Sequence, residues 1–324
     1  MTLTLRRFEA ADAAAWDAFC GTCLQATFLH SRRFLSYHGD RFEDASLVIE
    51  DDGEWVGAFP AALNPGNALE VVSHPGLTYG GVLHQGPLRG ERMIEALDAM
   101  RHFYAERGCQ RLVYKAVPFI YHCVPSQDDL YALFRLGATR ARCDLSSTID
   151  LARRLPVTSR RARGLKKSIR NNVEIATGHD WIAPLWHVLA ENLRSKFNAE
   201  PVHSLHELAL LAGMFPEEIR CVCGTKDGRV IAGVVLFETP SVSHAQYIAS
   251  SEAGQDMAAL DLVFDFCIRS AAERGKTWFD FGTSNEDAGR FLNRGLYEFK
   301  SNFGGGGVAH EFYALQLTGE TDEH

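Results

Sequence analysis

The chain has 324 residues, a net charge of −8 and 46% hydrophobic residues, a composition that excludes disordered and fibrous proteins. At about 150 residues per domain, this length predicts two domains. No apolar run reaches the roughly 20 residues that span a bilayer, and the opening MTLTLRRFEAADAAAW lacks the pattern of a secretion signal. We therefore expect a cytoplasmic protein. Its negative charge argues against a uniformly basic nucleic-acid-binding surface.

Eight cysteines are scattered along the chain, as is usual for reduced thiols in a cytoplasmic protein. There are two close pairs, Cys20 with Cys23 and Cys221 with Cys223; the first has the spacing of a redox dithiol, and the two together could build a zinc site. The first pair does not follow a βαβ unit, and alternation along a strand alone would place the second pair on one face. We interpret the cysteines as inert core thiols and expect no metal site.

The first half of the chain predicts a hairpin, a helix, a strand, a second helix and a closing strand. Residues 46–57 read SLVIEDDGEWVG, in which two β-rich runs flank an Asp-Gly turn. A helical pattern then ends at Gly108, a typical C-cap position. A strand at 110–117, a helix at 129–137 and a strand at 143–151 follow.

The second half repeats this order. The tetrapeptide Ala-Glu-Arg-Gly occurs at 105–108 and again at 272–275, each time at the end of a helical pattern. We infer an internal duplication and a mixed α/β (α+β) fold. The predicted elements of the second copy are helices within 181–214, a hairpin at 219–238, a strand at 243–250, a helix at 257–274, a strand at 277–281, a helix at 287–300 and a strand at 308–317.

A strongly basic segment joins the two copies. Residues 153–170 contain eight basic side chains and no acidic one. Such a segment is either a solvated linker helix or an anchor for a polyanion such as a nucleotide diphosphate, a coenzyme pyrophosphate or RNA. The predicted domains are accordingly 1–150, a basic connection at 151–175, and 176–324.

Three segments resemble one family of enzymes. STIDLARRLPVTSRRARGLKKSIRNNVEI (147–175), WFDFGTSNE (278–286) and GLYEFKSNFGGGGVAHEFYALQL (295–317) resemble FemAB-type aminoacyltransferases and BioF2-like acetyltransferases. The resemblance implies two tandem domains of the acetyltransferase (GNAT) fold, in agreement with the duplication. We expect the second domain to carry the chemistry. The first is expected to be degenerate for donor binding, because its corresponding loop, HPGLTYGGVLHQG (74–86), does not match the donor-binding pattern.

The activity implied by this resemblance is acyl transfer to an amine by direct attack. The expected donor is acyl-CoA, such as acetyl-CoA, used as a co-substrate with no tightly bound cofactor, and aminoacyl-tRNA is the alternative donor. The acceptor would be an amine of a small molecule or of a cell-envelope precursor. A non-catalytic binding module of the same fold is the remaining alternative. The sequence names neither the acceptor nor the oligomeric state.

Four residues are candidates for catalysis. Lys300, with Phe299 beside it, falls on the Phe-Lys position of the family motif, where the lysine would stabilise negative charge on the donor. Asp280 lies inside an apolar strand, where an acid is costly unless it is hydrogen-bonded or functional. His203 lies in a loop between two helices, which overlies the acceptor pocket in GNAT folds, and is a candidate base.

Binding residues are predicted at strand ends and loops. The family places the acyl carbonyl at backbone amides near Tyr247 and Ile248, and the loop SSEAGQDMAA (250–259) partly matches a pyrophosphate-binding loop through Gln255 and Ala258. Further donor contacts are predicted at Ser284, Asn285 and Asn293. His38 replaces a family lysine that binds a nucleotide sugar, so we expect a different acceptor. The predicted substrate-binding residues are His38, Tyr121, His122, Lys196, Arg161 and Arg163.

Overall fold

The computed structural model describes residues 3–197 and 203–317. The strands are β1 Thr4–Arg7, β2 Leu47–Asp51, β3 Glu54–Phe59, β4 Ala62–Asn64, β5 Asn67–Val72, β6 Arg111–Lys115, β7 Thr139–Asp150, β8 Glu174–Thr177, β9 Ile219–Lys226, β10 Arg229–Glu238, β11 Val242–Ser250, β12 Trp278–Thr283, β13 Asn285–Glu286, β14 Phe291–Leu292 and β15 Gly306–Gln316. The helices are α1 Ala13–Cys20, α2 Arg32–Leu35, α3 Glu91–Ala105, α4 Asp128–Arg135, α5 Ser159–Arg170, α6 Ile182–Phe197, α7 Leu205–Met214, α8 Glu252–Asp256, α9 Ala259–Glu273 and α10 Arg294–Ser301. In these two described ranges no helix is long and apolar enough to cross a membrane.

Two compact units share the chain. Within the described residues, the first unit comprises 3–144, 285–291 and 309–317, and the second comprises 145–284 and 292–308. Each unit contains two parallel strands joined by a helix, namely β5-α3-β6 in the first and β11-α9-β12 in the second. This repetition agrees with the predicted mixed α/β class and with two GNAT-like domains. The proposed assignment of functions to 1–150, 151–175 and 176–324 stays a prediction.

The second unit is built on a sheet with the strand order β7-β12-β11-β10-β9-β8. Helix α9 packs on one face of this sheet, where Phe264, Phe279 and Phe281 form a buried aromatic core. Helix α6 contacts β10 and β11. In the first unit, the apolar face of α3 packs on the corresponding sheet through Met93, Leu97 and other buried residues.

Each unit takes its closing strand from the other copy of the duplication. In the first unit β15 pairs antiparallel with β6, from Phe312 opposite Lys115 to Gln316 opposite Arg111. In the second unit β7 pairs antiparallel with β12. The sequence order suggested that each copy would keep its own closing strand. Pairing between distant strands depends on tertiary contacts, which a local pattern does not encode.

The turn and cap signals in the sequence are confirmed. Asp52 and Gly53, and likewise Asp227 and Gly228, have positive φ angles, as a two-residue hairpin turn requires. The cap glycine Gly108 has φ +85°, and Gly275 has φ +75°.

The helix predicted for 287–300 is wrong in its first half. Residues 285–292 instead form the short strands β13 and β14 and the turn that joins them, and α10 begins only at Arg294. Asp287, Ala288 and Gly289 all have positive φ angles, which a right-handed helix does not allow. Asn293 sets the true start, because its side chain accepts a hydrogen bond from Leu296 N at 3.0 Å.

Helix α5 approaches α9 closely at a glycine. A Cβ added at Gly164 would lie 2.5 Å from Cγ of Asp261 in the first turn of α9. Replacing Gly164 by alanine is therefore expected to lower the free energy of unfolding by about 1–3 kcal/mol, measured by urea denaturation. Gly213→Ala in α7 is the matched control, since its Cβ meets no atom within 4 Å. The control should be neutral or stabilise by up to about 1 kcal/mol. Equal effects of the two changes would contradict the close approach.

Candidate active site

Strands β11 and β12 separate part-way along their length. Their parallel pairing runs from Val242 opposite Trp278 to His244 opposite Asp280 and stops there, while β11 continues to Ser250. We call this point of separation the fork. Just beyond the fork, the pairing of β11 with β10 and the pairing of β12 with β7 each show a register shift. In β11 the extra residue is Gln246. Bulges re-aim backbone groups and are common beside active sites, which makes the fork a candidate ligand site.

A histidine–aspartate pair lies at the fork. His244 Nδ1 is 2.7 Å from Asp280 Oδ2, and Asp280 is fully buried. The other carboxylate oxygen accepts hydrogen bonds from Thr148 Oγ1 at 2.7 Å and from the Ser146 hydroxyl. An ionised Asp280 thus places the imidazole proton on Nδ1 and leaves Nε2 as a proton acceptor. The side chain of His244 is 13% exposed, so a substrate can reach it.

Lys300 is buried at the same end of β12. Its ammonium donates hydrogen bonds to the backbone carbonyls of Gly282 at 3.0 Å and Thr283 at 2.7 Å. Burial lowers the pKa of Lys300 from 10.5 to about 8, against the opposing effect of the Asp280 charge. Gly282 has φ +74°, and a Cβ there would lie 3.2 Å from His244 Cε1. The backbone of Gly282, whose carbonyl accepts a hydrogen bond from Lys300, therefore also packs against the imidazole of His244.

His203 contacts β11 beyond the fork. Its Nδ1 is hydrogen-bonded to the hydroxyl of Tyr247, whose ring packs edge-on against Trp186 with centroids 4.9 Å apart. Ala245 and Ile248 pack in the α9 core, so the bulge leaves His244 and Tyr247 on the opposite face of the sheet. The structure thus brings the predicted residues His203 and Tyr247 together, while Ile248 lies on the core side.

Phe299 and Arg161 belong to a second cluster on the α9 side. Phe299 packs against Phe264 and Phe303 in the aromatic core. The Arg161 guanidinium lies 4.9 Å from the Phe299 ring centroid and 3.2 Å from Asp261. Burial raises the pKa of Asp261 to about 6. These contacts join α5, α9 and α10.

The predicted pyrophosphate loop contains α8 and the start of α9. Gln255 Nε2 donates to the carbonyl of Ser250 at 3.3 Å, within its own loop. Ala258 has φ +55° and precedes the first turn of α9. Gly254 is required here, because a Cβ would lie 2.1 Å from the carbonyl oxygen of Ile231. The backbone of α8 therefore lies directly against β10.

The other predicted residues are more scattered. Ser284 is buried directly after β12, and Asn285 Nδ2 donates to the carbonyl of Gly289 at 3.3 Å. Arg163 is exposed on α5. Lys196 lies in α6, and its side chain is outside the described part of the structure.

The predicted acceptor residues of the first unit surround buried aromatic rings. The ring centroids of His38 and His74 are 5.0 Å apart, and those of Tyr121 and Tyr79 are 4.5 Å apart. His122 is hydrogen-bonded through Nε2 to the carbonyl of Val117 at 2.9 Å. The roles assigned to these residues remain predictions.

The same region contains a histidine that should make stability depend on pH. His30 is fully buried, and its burial lowers its pKa from 6.5 to about 4. The unfolded chain therefore binds the proton first, and the contribution of His30 to stability falls as the pH drops from about 6.5 to 4. The loss amounts to about 3 kcal/mol, or about 1.4 kcal/mol per pH unit. Urea denaturation at several pH values should show a shallower acid loss for His30→Asn. The exposed His102→Asn should behave as the unaltered chain, and parallel curves for all three would contradict the prediction.

The sequence signal for His244 was too weak to single it out. The residue stands in VSHAQYIAS as one polar side chain in a strand. Its importance follows from the register that places it opposite Asp280. Ser146 and Thr148, in SSTID, become visible as carboxylate donors only through the pairing of β7 with β12. In the described ranges no three His, Cys, Asp or Glu side chains are grouped to hold a metal, and Cys221 Sγ lies 3.8 Å from Cys223 Sγ in the core.

Residues 152–301 match the family model Acetyltransf_6, described as an acetyltransferase (GNAT) domain. These residues form a GNAT acyltransferase domain. The matched residues include α5, the fork and Lys300, so the candidate site lies within the matched part of the chain. The expectation of an acyltransferase is confirmed at this level.

Solved structures similar to this chain share the fold of the GNAT domain. FemX has 11% identity and a TM-score of 0.68 over 96% of both chains. L-PGS from Bacillus licheniformis has 12% identity and a TM-score of 0.61, covering 94% of this chain and 91% of its own. A tandem GNAT protein from the clavulanic acid biosynthesis pathway has 12% identity and a TM-score of 0.52, covering 99% of this chain and 100% of its own. The search of curated proteins gave no match. The predicted likeness to FemAB-type proteins is thus confirmed in the fold.

Proposed function

We propose that this protein transfers an acyl group from acyl-CoA to an amine, with the reaction at the fork. The observation that carries this proposal is the opening of β11 and β12 at the His244–Asp280 pair, with Lys300 buried at the same end of β12. Separating strands can admit an extended thioester arm, and backbone N–H groups beyond the point of separation would polarise its carbonyl. The acceptor amine would approach the exposed edge of His244.

The chemistry then needs no covalent enzyme intermediate. His244 Nε2 takes a proton from the attacking amine, and the Asp280 carboxylate stabilises the resulting imidazolium. The amine nitrogen forms the amide bond as the carbon–sulfur bond breaks, and the thiolate leaves and is protonated to the free thiol. Lys300 has two donors held by carbonyls, and its third N–H can stabilise the negative charge that develops on the donor.

A second donor class is favoured by one observation. Asp261 places a carboxylate in the first turn of α9, and Glu252 and Asp256 lie in the preceding helix. A diphosphate at that helix start would meet negative charge, although Arg161 offsets part of it. An aminoacyl ester on tRNA delivers the same reactive carbonyl without placing a diphosphate there. Aminoacyl-tRNA is therefore the alternative donor.

The donor is tested by incubating the full chain with acetyl-CoA or longer acyl-CoA and a panel of primary amines. Release of free thiol together with an amide product of the expected mass supports the proposal. Product formation only with aminoacyl-tRNA would replace the donor by the alternative. No turnover with either donor, despite binding measured by calorimetry, would indicate the non-catalytic binding module. Asp280→Asn serves as the background control for thiol release.

A further inference from the structure

Helix α5 carries a row of cations along its exposed face. Arg163, Lys166 and Arg170 are spaced three and four residues apart, which places them on one side of the helix. Together with Ile169 they line a surface pocket of about 560 Å³. We call Arg163, Lys166, Ile169 and Arg170 the α5 surface. Arg161, by contrast, points inward to Asp261.

These cations are not used by the fold. Among the described residues, none of the three lies within ion-pair distance of a carboxylate, whereas Arg269 and Arg274 on α9 and at its end are both paired. Residues 153–170 contain no acid, in a chain whose net charge is −8. Concentrated positive charge on an otherwise acidic protein complements an anionic partner.

Exposed aliphatic side chains accompany the cations. Ile169 is 57% exposed within the α5 surface, and Leu155 is 55% and Val157 40% exposed in the segment that leads into the helix. The segment 153–170 contains no aromatic residue on which a nucleotide base could stack. Aliphatic side chains beside lysines and arginines instead suit the boundary between lipid headgroups and acyl chains.

From this combination we propose that the α5 surface docks the protein on an anionic phospholipid membrane. The 12 residues of α5 give a face about 18 Å long, sufficient to span several headgroups. The cations attract the headgroups, and Ile169 enters the interface. This binding uses residues outside the fork and is independent of the proposed reaction.

The test measures partition of the full chain onto vesicles of phosphatidylcholine with 30% phosphatidylglycerol, and onto phosphatidylcholine alone. The first should bind at about 0.1 M salt and release the protein at 0.5 M, while the second should bind little. The triple variant Arg163→Gln, Lys166→Gln, Arg170→Gln is expected to bind about 100-fold more weakly. Ile169→Ser should weaken binding about 5-fold.

A control variant removes the same charge elsewhere. Arg89, Arg229 and Arg290 are exposed, and the triple change to glutamine there should leave vesicle binding within about 2-fold. Equal losses in the two triple variants would show an effect of net charge alone and overturn the proposal. Failure to bind the anionic vesicles, with a tRNA mobility shift that the α5 triple variant loses, would also overturn it and identify RNA as the partner.

Discussion

His244→Ala is expected to lower the rate of acyl transfer by about 10²–10⁴-fold, because it removes the proton acceptor at the fork. The side chain is partly exposed, and the Asp280 carboxylate keeps its two hydroxyl donors from β7. The fold should therefore persist, with an unchanged circular dichroism spectrum. Steady-state kinetics with saturating donor would measure the loss. Added imidazole should restore part of the activity, which a merely structural role would not predict.

The matched control for this change is His187→Ala. His187 is exposed on α6, and its Nδ1 is hydrogen-bonded to the carbonyl of Ala183 within the helix. Its removal should leave the rate within about 2-fold. If His244→Ala kept full activity, the fork would have to use another base, and His203 on the same face of the sheet would be the next to examine. In that case added imidazole would not change the rate of the His244→Ala variant.

The second large effect is expected for Lys300→Met. The folded protein holds the pKa of Lys300 near 8, below its ordinary 10.5, so burial of the ammonium opposes folding at neutral pH. The unfavourable contribution of the buried ammonium is lost as the pH rises from about 8 to 10.5. Over this range the free energy of unfolding should increase by up to about 3 kcal/mol. Lys300→Met should lack that increase.

Activity should separate from stability in this variant. We expect Lys300→Met to lose at least about 100-fold in kcat, since it removes the charge that stabilises the developing anion. Its free energy of unfolding at pH 7 should stay within about 1 kcal/mol, because loss of two hydrogen bonds offsets relief of the buried charge. Lys115→Met is the control. Lys115 also donates to backbone carbonyls, those of His74, Pro75 and Leu77, and its pKa is lowered to about 7. That change should affect stability and leave kcat nearly unaltered, and a normal kcat for Lys300→Met would contradict the role at the fork.

Local signals predicted much of this fold and a part of the candidate site. The Asp-Gly turns and the capping glycines depend on the conformations of one or two residues, so the sequence reveals them directly. The helix predicted for 287–300 fails over 287–293, where the backbone conformation of single residues again decides the structure. The helical pattern is realised only after Asn293, and positive φ angles at Asp287 and Ala288 prevent a helix before it.

The site was harder to predict because it depends on strand register. Asp280 and Lys300 could be singled out, one as an acid in an apolar strand and the other by a motif. His244 acquires its partner only because β11 lies parallel to β12 with His244 opposite Asp280. Thr148 reaches the same carboxylate through the exchanged strand β7. No spacing within the sequence encodes these contacts.

The exchange of closing strands has a consequence for synthesis of the protein. Strand β6, complete at Lys115, must wait for Phe312–Gln316 before its free edge is paired in the first unit. The nascent chain thus exposes an unpaired edge while about 200 further residues are made, for roughly 10–40 s at 5–20 residues per second. Unpaired edges promote aggregation, so this interval is the period when chaperones would matter most for the yield of folded protein.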